Sequence, residues 1–364
     1  MYGINKFIIN QVRNDYSEHL SEFDYKVDCS MGSNPYGSWP GLELKKEVLL
    51  QIAQYPHSDN DLKEAIAAYF ADAAELTAAN VTLACGSIGA MLALNRMTLH
   101  ENKPVICCAP TFTAVVDDFV TYGVNYQPVY LKKENNYRFS LEDFLAKLEQ
   151  FHTAYVYIDN PNNPTGQIIP LSSIEAIVQA ARQRNSFVVI DEAYGDYMDN
   201  ADSAIKIIGK YDNLAVVRTF SKGFGAAGIR LGYIVAQEKI INLVNKVNIP
   251  FSKSTIAEYI ALQLLKSNWV RLTRKRVVAA KRTLLAGLKE IKVGYTSLGV
   301  PISLLYCDDE NIDLCEVLEH AGLRAITCAG YDGLGKNSVR LNVHENMALV
   351  MECLHEAESF LREK

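Results

Sequence analysis

Residues 154–191 read AYVYIDNPNNPTGQIIPLSSIEAIVQAARQRNSFVVID and contain the clearest indication of the fold class. Two short runs rich in β-branched and aromatic residues, AYVYID and FVVID, flank a segment after Pro170 whose apolar residues recur at helical spacing. Strand, helix and strand in this order, with apolar residues on both faces of each strand, are typical of a parallel sheet covered by helices on both sides.

The same alternation extends in both directions from this stretch, between about Gly86 and Tyr233. The sequence therefore predicts an α/β fold, a mostly parallel sheet between two layers of helices, which binds ligands beyond the carboxyl ends of its strands. We predict helices at 87–97 and 113–122 and from 140 and 171, and strands at 105–108, 124–130, 154–159, 187–191 and 215–220.

Outside this region the patterns change. Helical periodicity predicts helices at 42–54 and 62–71, and two or three more between 240 and 288. Strand patterns near 302–307, 323–327 and 338–343, followed by a closing helix, predict a smaller α+β unit. We expect an N-terminal arm (1–31) that forms part of the small domain, a large domain (32–265) and a small C-terminal domain (266–364).

The composition describes a chain that can bury a large core. Of the 364 residues, 49% are hydrophobic and 21% are charged, which excludes a disordered protein and a small disulfide scaffold. Thirty-six basic and 42 acidic residues give a net charge of −6, so the chain as a whole is no basic nucleic-acid binder. No apolar run reaches the ~18 residues of a membrane helix, and no secretion signal is visible.

Cysteine and histidine spacing gives no sign of a metal or redox site. No pair among the eight cysteines has the two-residue gap of such sites, and the seven histidines lack the HExxH pattern. We expect reduced core thiols in a cytoplasmic protein that binds no metal.

The segment SKGFGAAGIR, residues 221–230, contains GFGAAG, which matches the dinucleotide fingerprint letter for letter. That fingerprint opens a helix after the first strand of its unit, whereas here a strand pattern, IRLGYIVA, follows at once. The alternative is a loop that brings Ser221, Lys222 and Arg230 together. A hydroxyl and a guanidinium beside a lysine suit a phosphate site next to a reactive amine.

Three further motifs stand at predicted strand ends or helix starts. PNNPTG (161–166) is a turn by composition, but its two asparagines also offer amide donors. In DEAYGDY (191–197), Asp191 either caps a helix or needs a charged partner, because a lone buried charge is costly. ACGSIGA (84–90) either only begins a helix or binds an anion there with its backbone N–H groups.

Taken together and in this order, the motifs resemble those of the pyridoxal-phosphate-dependent aminotransferases of fold type I. An aromatic residue after Pro110, NNPTG, DEAY, SKGFGAAGIR and a late VRLN carry this resemblance over nearly the whole chain. SNPYG (33–37), the pair Tyr55-Pro56 and the eight-residue step from Lys222 to Arg230 are similar to the histidinol-phosphate aminotransferase group.

The resemblance implies pyridoxal 5'-phosphate as the cofactor and a ping-pong transamination through an internal aldimine on Lys222, which later moves a proton at Cα. It implies that Asp191 keeps the ring nitrogen protonated, so that the ring accepts the electron pair from Cα. Tyr194 and Asn163 are expected to bind the phenolic oxygen of the ring, and Phe112 to stack on its face.

The same resemblance assigns the anionic groups of cofactor and substrate. The cofactor phosphate is expected to be held by Ser87 and Ile88 through their backbone, by Ser221 and Arg230, and by Tyr55 of the neighbouring subunit of a homodimer. Arg340 is expected to bind the substrate carboxylate. Asn34, of SNPYG, and Asn163 are also expected to contact the substrate.

The chain also departs from the pattern of that group. Many histidinol-phosphate aminotransferases have a second arginine shortly after the one in the late strand, whereas here none follows Arg340 before Arg362. No residue is therefore assigned to bind a substrate phosphate, and Arg13 and Tyr16 of the arm have no assigned role. The expected substrates are a small amino acid or amino phosphate and a 2-oxo acid, with neither nucleic acid nor membrane as a partner.

Three rival functions remain at this point. A decarboxylase of the threonine-phosphate decarboxylase type uses the same cofactor and differs in how Arg340 orients the substrate. A nicotinamide oxidoreductase built on GFGAAG predicts a helix after Gly228 and no special role for Lys222. A regulator that borrows the fold needs a DNA-binding segment, and about thirty residues before SNPYG are too few for one.

Overall fold

The computed structural model describes residues 2–9, 11–12, 24–56 and 58–363. Within these residues there are thirteen strands and eleven α-helices. The strands are β1 (Val27–Asp28), β2 (Val81–Ala84), β3 (Pro104–Ala109), β4 (Asn125–Tyr130), β5 (Tyr155–Asp159), β6 (Phe187–Asp191), β7 (Leu214–Thr219), β8 (Gly232–Ala236), β9 (Lys292–Val293), β10 (Ile302–Tyr306), β11 (Leu323–Arg324), β12 (Ile326–Thr327) and β13 (Ser338–Asn342). The helices are α1 (Lys46–Leu49), α2 (Asn60–Tyr69), α3 (Gly86–Thr98), α4 (Thr113–Thr121), α5 (Leu141–Leu148), α6 (Leu171–Gln183), α7 (Glu238–Val244), α8 (Thr255–Lys266), α9 (Trp269–Gly287), α10 (Leu314–His320) and α11 (Met347–Glu363).

The central sheet has seven strands in the order β2-β8-β7-β6-β5-β3-β4. Strands β7, β6, β5, β3 and β4 are parallel to one another, and β8 runs antiparallel to both β7 and β2. The α/β prediction with a mostly parallel sheet is thereby confirmed.

Both faces of this sheet are buried, because helices cover each of them. Strand β5 shows the alternation: Tyr155 and Tyr157 pack into the cluster that contains Leu94 of α3, and Val156 and Ile158 pack into the cluster that contains Ile174 of α6. Since neither face of the inner strands meets water, β3, β5 and β6 are nearly continuous apolar runs, and this made them recognisable in the sequence. The edge strand β4 is more polar and partly exposed.

The smaller unit has its own apolar core. A four-stranded antiparallel sheet, β12-β13-β10-β9, packs with α10 and α11, and β1 pairs with β11 in parallel. Within the N-terminal segment, Asn5 donates to the Thr121 carbonyl and Gln11 to that of Asp117, so these residues contact α4 of the large unit. The three domain ranges given above stay a prediction.

One predicted helix is much shorter in the structure. Residues 42–54 contain only α1 and a 3-10 turn, Leu50–Ala53. Val48 is buried and Leu42 packs against the main core, but Leu50 and Ile52 are exposed, so the second half of the predicted apolar face does not pack against this chain. Among the described residues, no helix has the length and apolar character needed to cross a bilayer.

A fully buried charge cluster joins the ends of β6 and β7. The Arg218 Nε donates to Glu192 Oε2 at 2.8 Å, and its NH1 lies 3.3 Å from Asp196 Oδ1. Glu192 also accepts from the Ser203 hydroxyl and the Ala204 amide. Because a buried charge without a partner is costly, these three side chains depend on one another.

Removal of one carboxylate from this cluster is therefore expected to destabilise the protein strongly. Glu192→Ala leaves the Arg218 charge poorly compensated and should lower the free energy of unfolding by about 3–5 kcal/mol in denaturant titrations. Glu356→Ala removes the carboxylate of an exposed ion pair with Lys26 and serves as the control. A similar loss in both variants would contradict the importance assigned to the buried cluster.

Candidate active site

A pocket opens beyond the carboxyl ends of β5, β6 and β7, where a parallel sheet places its ligand sites. Ten of the twelve site residues expected from the sequence line it. They are Ser87, Ile88, Phe112, Asn163, Asp191, Tyr194, Ser221, Lys222, Arg230 and Arg340.

One end of the pocket is a cradle for an anion. Helix α3 begins there with Gly86, and Ser87 and Ile88 present the first turn of this 13-residue helix. A Cβ on Gly86 would lie 2.6 Å from an Arg230 guanidinium nitrogen, so only glycine lets that cation approach the helix N-terminus. Free N–H groups, the helix dipole and a guanidinium together favour a phosphate.

The pocket also contains a deeply buried carboxylate, Asp191 at the end of β6. It accepts a hydrogen bond from the Tyr157 hydroxyl at 3.1 Å and one from the Ala193 amide at 3.0 Å. Burial raises the pKa of Asp191 to about 6, and the two hydrogen bonds and the charge of Lys222 oppose this rise. A carboxylate in such surroundings suits a cationic partner, because pairing offsets the cost of burial.

Lys222 lies in the loop after β7, in the same pocket. Its Nζ is 5.2 Å from the centroid of the Tyr194 ring, over the aromatic face. Tyr194 lines the pocket, and its hydroxyl is buried without a hydrogen-bond partner among the described residues. A buried hydroxyl of this kind suits a ligand oxygen, because leaving it unpaired is costly.

Arg340 lies on β13 of the smaller unit, and its guanidinium contacts the large unit. Its NH2 donates to the Ser30 carbonyl at 2.9 Å, and its NH1 lies 3.3 Å from Asn163 Oδ1. The side chain is buried in the pocket wall, as is Asn163. The site is therefore built by both units, with Phe112, which precedes α4, in the same wall.

The sequence analysis missed a second pocket carboxylate, Asp159. It ends β5, directly beside Asp191 in the register of the sheet. Its carboxylate accepts hydrogen bonds from Asn162 Nδ2 at 2.8 Å and from the backbone N–H of Asn163 at 2.9 Å. Burial raises its pKa to about 7. The strand pattern AYVYID already ended on this residue, so its position next to Asp191 could have been noticed.

Two of the expected residues lie elsewhere. The Asn34 amide is buried and donates to the Gly223 carbonyl at 2.7 Å and to Thr273 Oγ1 at 3.2 Å, so it supports the loop of Lys222 and does not line the pocket. Tyr55 is 75% exposed and packs against Phe251, outside the pocket. Arg13 and Tyr16 lie outside the described residues.

The local structure after Lys222 contradicts the nicotinamide alternative. A dinucleotide fingerprint requires a helix after Gly228. The chain instead forms a three-residue 3-10 turn, Ala227–Ile229, and then enters β8. Lys222 itself lies in the pocket, which that alternative did not expect.

Comparison with known proteins identifies the family. Residues 43–353 match the family model of the class I and II aminotransferases. Histidinol-phosphate aminotransferase from Ruminiclostridium cellulolyticum is 29% identical over 294 residues, which cover 79% of this chain and 80% of that protein. Histidinol-phosphate aminotransferase 1 from Bacillus cereus is 31% identical over 264 residues, which cover 71% and 67%.

A solved structure shares the fold. The crystal structure of histidinol-phosphate aminotransferase from Sinorhizobium meliloti in complex with pyridoxal-5'-phosphate superposes with a TM-score of 0.76 at 19% identity, and covers 93% of this chain and 92% of that one. The chain belongs to the class I and II aminotransferases, and pyridoxal 5'-phosphate is its cofactor. An anion cradle, an amine, a buried carboxylate and the Tyr194 hydroxyl fit the groups of this cofactor.

The raised pKa of Asp159 has a consequence for stability in the cofactor-free protein. Between the ordinary value of 3.8 and about 7, the folded state keeps a proton that the unfolded chain has lost. Stability should therefore fall as the pH rises through this range, by up to about 1.4 kcal/mol per pH unit for this group. Asp159→Asn is expected to flatten this slope, measured by denaturant titration at several pH values.

Asp212→Asn provides the control for this experiment. The hydrogen bond from Lys239 lowers the pKa of the Asp212 carboxyl, so it titrates below the range examined. The slope of this variant should match that of the parent protein. An unchanged slope in Asp159→Asn would show that this carboxyl is ionised throughout the range.

Proposed function

We propose that this aminotransferase moves the amino group of a small amino acid or amino phosphate to a 2-oxo acid in a ping-pong cycle, with Lys222 as the amine that binds the cofactor. The observation that carries this proposal is the shared pocket: Lys222 lies there with Asp191 and with the anion cradle at Ser87. Pyridoxal 5'-phosphate supplies an aldehyde that binds amines and a ring that accepts the electron pair released at Cα.

In this proposal the buried side chains of the pocket orient the cofactor ring and control the protons on the ring and on the substrate. Asp191 holds a proton on the ring nitrogen opposite its carboxylate, and Tyr194 and Asn163 donate to the phenolic oxygen. Phe112 covers one face of the ring and excludes water. Lys222 then takes the proton from the substrate Cα, which general base catalysis by a positioned amine accelerates by about 10²–10⁴-fold.

Arg340 is proposed to bind the substrate carboxylate. A guanidinium offers two parallel N–H donors to a carboxylate, which fixes the substrate in angle as well as in position. The Ser30 carbonyl and Asn163 hold the Arg340 side chain on two sides. That angle decides whether the Cα–H bond or the bond to the carboxylate breaks.

The relatives named above support an amino phosphate as one substrate. The basic residues in the described pocket lining are Lys222, Arg230 and Arg340. In the proposal Lys222 and Arg230 bind the cofactor, and Arg340 binds the substrate carboxylate. The described lining therefore has no further cation for a substrate phosphate, and the donor stays open between an amino acid and an amino phosphate.

We also propose that the protein acts as a homodimer in the cytoplasm. Tyr55, Leu50, Ile52, Ile249 and Phe251 are large, strongly exposed side chains, and the Tyr55 and Phe251 ring centroids are 4.8 Å apart. A second copy that covers these residues would bring Tyr55 to the phosphate of the neighbouring site. All eight cysteines are free thiols, which supports a reducing compartment.

The assignment of Lys222 is tested by trapping and by replacement. Borohydride reduction of the purified protein should fix the cofactor to Lys222, as read by peptide mapping. Lys222→Ala should lower turnover of amino donors by at least about a thousandfold, because it removes the proton-transfer amine. Lys246→Ala, at an exposed lysine, is the control.

A panel of amino acids and amino phosphates, followed by product analysis, completes this experiment. The proposal expects a 2-oxo acid or phosphorylated ketone from the donor. Parental turnover in Lys222→Ala, or carbon dioxide as the main product, would contradict it.

The dimer has its own test. Tyr55→Phe keeps the ring and removes one hydroxyl, so the protein should still sediment as a dimer. Its affinity for pyridoxal 5'-phosphate should fall by about tenfold, the value of one hydrogen bond to a charged group. Tyr2→Phe is the control, because Tyr2 is fully exposed. A parent protein that sediments as a monomer would rule out the proposed assembly.

A further inference from the structure

The segment between β12 and β13 brings a tyrosine into contact with two residues that line the pocket, Asn163 and Arg340. Tyr331 is buried, and its backbone closes two turns: its N–H donates to the Cys328 carbonyl at 2.9 Å, and its carbonyl accepts from Leu334 at 3.0 Å. No motif marked this residue in the sequence. Its hydroxyl partner Asn163 lies 168 positions earlier in the chain, so only the fold reveals that contact.

The neighbouring residue anchors this segment to the large sheet. The hydroxyls of Tyr126 and Tyr130, both on β4, lie 3.2 Å from the Asp332 carboxylate. The segment is thus held at the sheet edge by two hydrogen bonds to a charged group, which are stronger than neutral ones. Tyr331 therefore occupies a defined position and does not lie on a free loop.

The Tyr331 hydroxyl joins the two residues proposed to meet the cofactor and the substrate. It donates to Asn163 Oδ1 at 3.2 Å and accepts from Arg340 NH1 at 3.5 Å. Arg340 NH1 also lies 3.3 Å from the same Asn163 oxygen. Two donors thus converge on Oδ1, and this decides which end of the amide is oxygen.

We propose that Tyr331 is a positioning residue that fixes the orientation of the Asn163 amide and holds the Arg340 guanidinium beside it. The inference rests on the proposed function, in which Asn163 donates to the cofactor. With Oδ1 bound by Tyr331 and Arg340, the Nδ2 donor is left for the phenolic oxygen. A reversed amide would present a lone pair to that oxygen and repel it.

Tyr331→Phe tests this role, since it removes only the hydroxyl. A donor to the phenolic oxygen stabilises its ionised form, so a weakened donor should raise the pKa read from the visible absorbance of the bound cofactor by about one unit. The same variant should raise the KM for the amino donor about tenfold, because Arg340 is held less firmly, and change kcat less. The melting temperature should stay near that of the parent.

Tyr306→Phe is the matched control. Its hydroxyl also bonds an asparagine oxygen, Asn136 Oδ1 at 3.1 Å, but neither residue lines the pocket. A pKa shift in Tyr331→Phe alone supports the proposal. An unchanged pKa and KM in Tyr331→Phe, or equal shifts in both variants, would overturn it.

A second variant keeps the experiment decisive if Tyr331→Phe folds poorly. Asp332→Ala removes the carboxylate that anchors the segment and leaves Tyr331 intact, so it should raise the cofactor pKa in the same direction by a smaller amount. No shift in this variant would count against the proposal. A parent protein without any cofactor absorbance would instead refute the proposed function itself.

Discussion

The desolvation cost of buried charged groups determines how the side chains at the carboxyl ends of the central strands are arranged. Asp159 and Asp191 end two adjacent strands of the central sheet and are buried, and Arg218 lies fully buried on the next strand, β7. Such groups persist only where hydrogen bonds and opposite charges compensate them. Arg218 has Glu192 and Asp196, Asp159 has two asparagine donors, and Asp191 has a tyrosine, an amide and the charge of Lys222.

The loop after β7 shows how this constraint extends to the backbone. A Cβ on Gly223 would lie 2.3 Å from the Cβ of Asp196, and Gly225 has a φ of +68°. Gly223 therefore lets the loop pack against the buried charge cluster, and Gly225 lets it turn sharply, with Lys222 beside Gly223. The motif matches a dinucleotide fingerprint, but the physical role of these two glycines is close packing and a left-handed turn.

Much of the fold and most of the pocket could be predicted from the sequence, for a physical reason. Strands buried on both faces are continuous apolar runs, and Asn163, Asp191 and Lys222 each follow such a run. Since parallel strands end at one edge, these residues had to meet. The antiparallel direction of β8 and the small strand β2 were not predicted, because pairing partners are not visible in a local pattern.

The remaining residues depend on contacts that no local pattern encodes. Tyr331 contacts Asn163, 168 positions away in the chain, and Asn34 of SNPYG donates to the Gly223 carbonyl, 189 positions away. The proposed role of the exposed Tyr55 requires a second subunit, and the sequence of one chain does not show how two subunits pack. Residues 42–54 had helical periodicity, yet Leu50 and Ile52 in its second half are exposed in this chain.

The pocket wall that contains Arg340 is formed by segments from near the beginning and near the end of the polypeptide. Arg340 donates to the carbonyl of Ser30, 310 positions earlier. The ribosome has therefore made the whole central sheet, and most of the smaller unit, before this wall can close. A complete pocket must therefore await β13, which is the last strand to be translated.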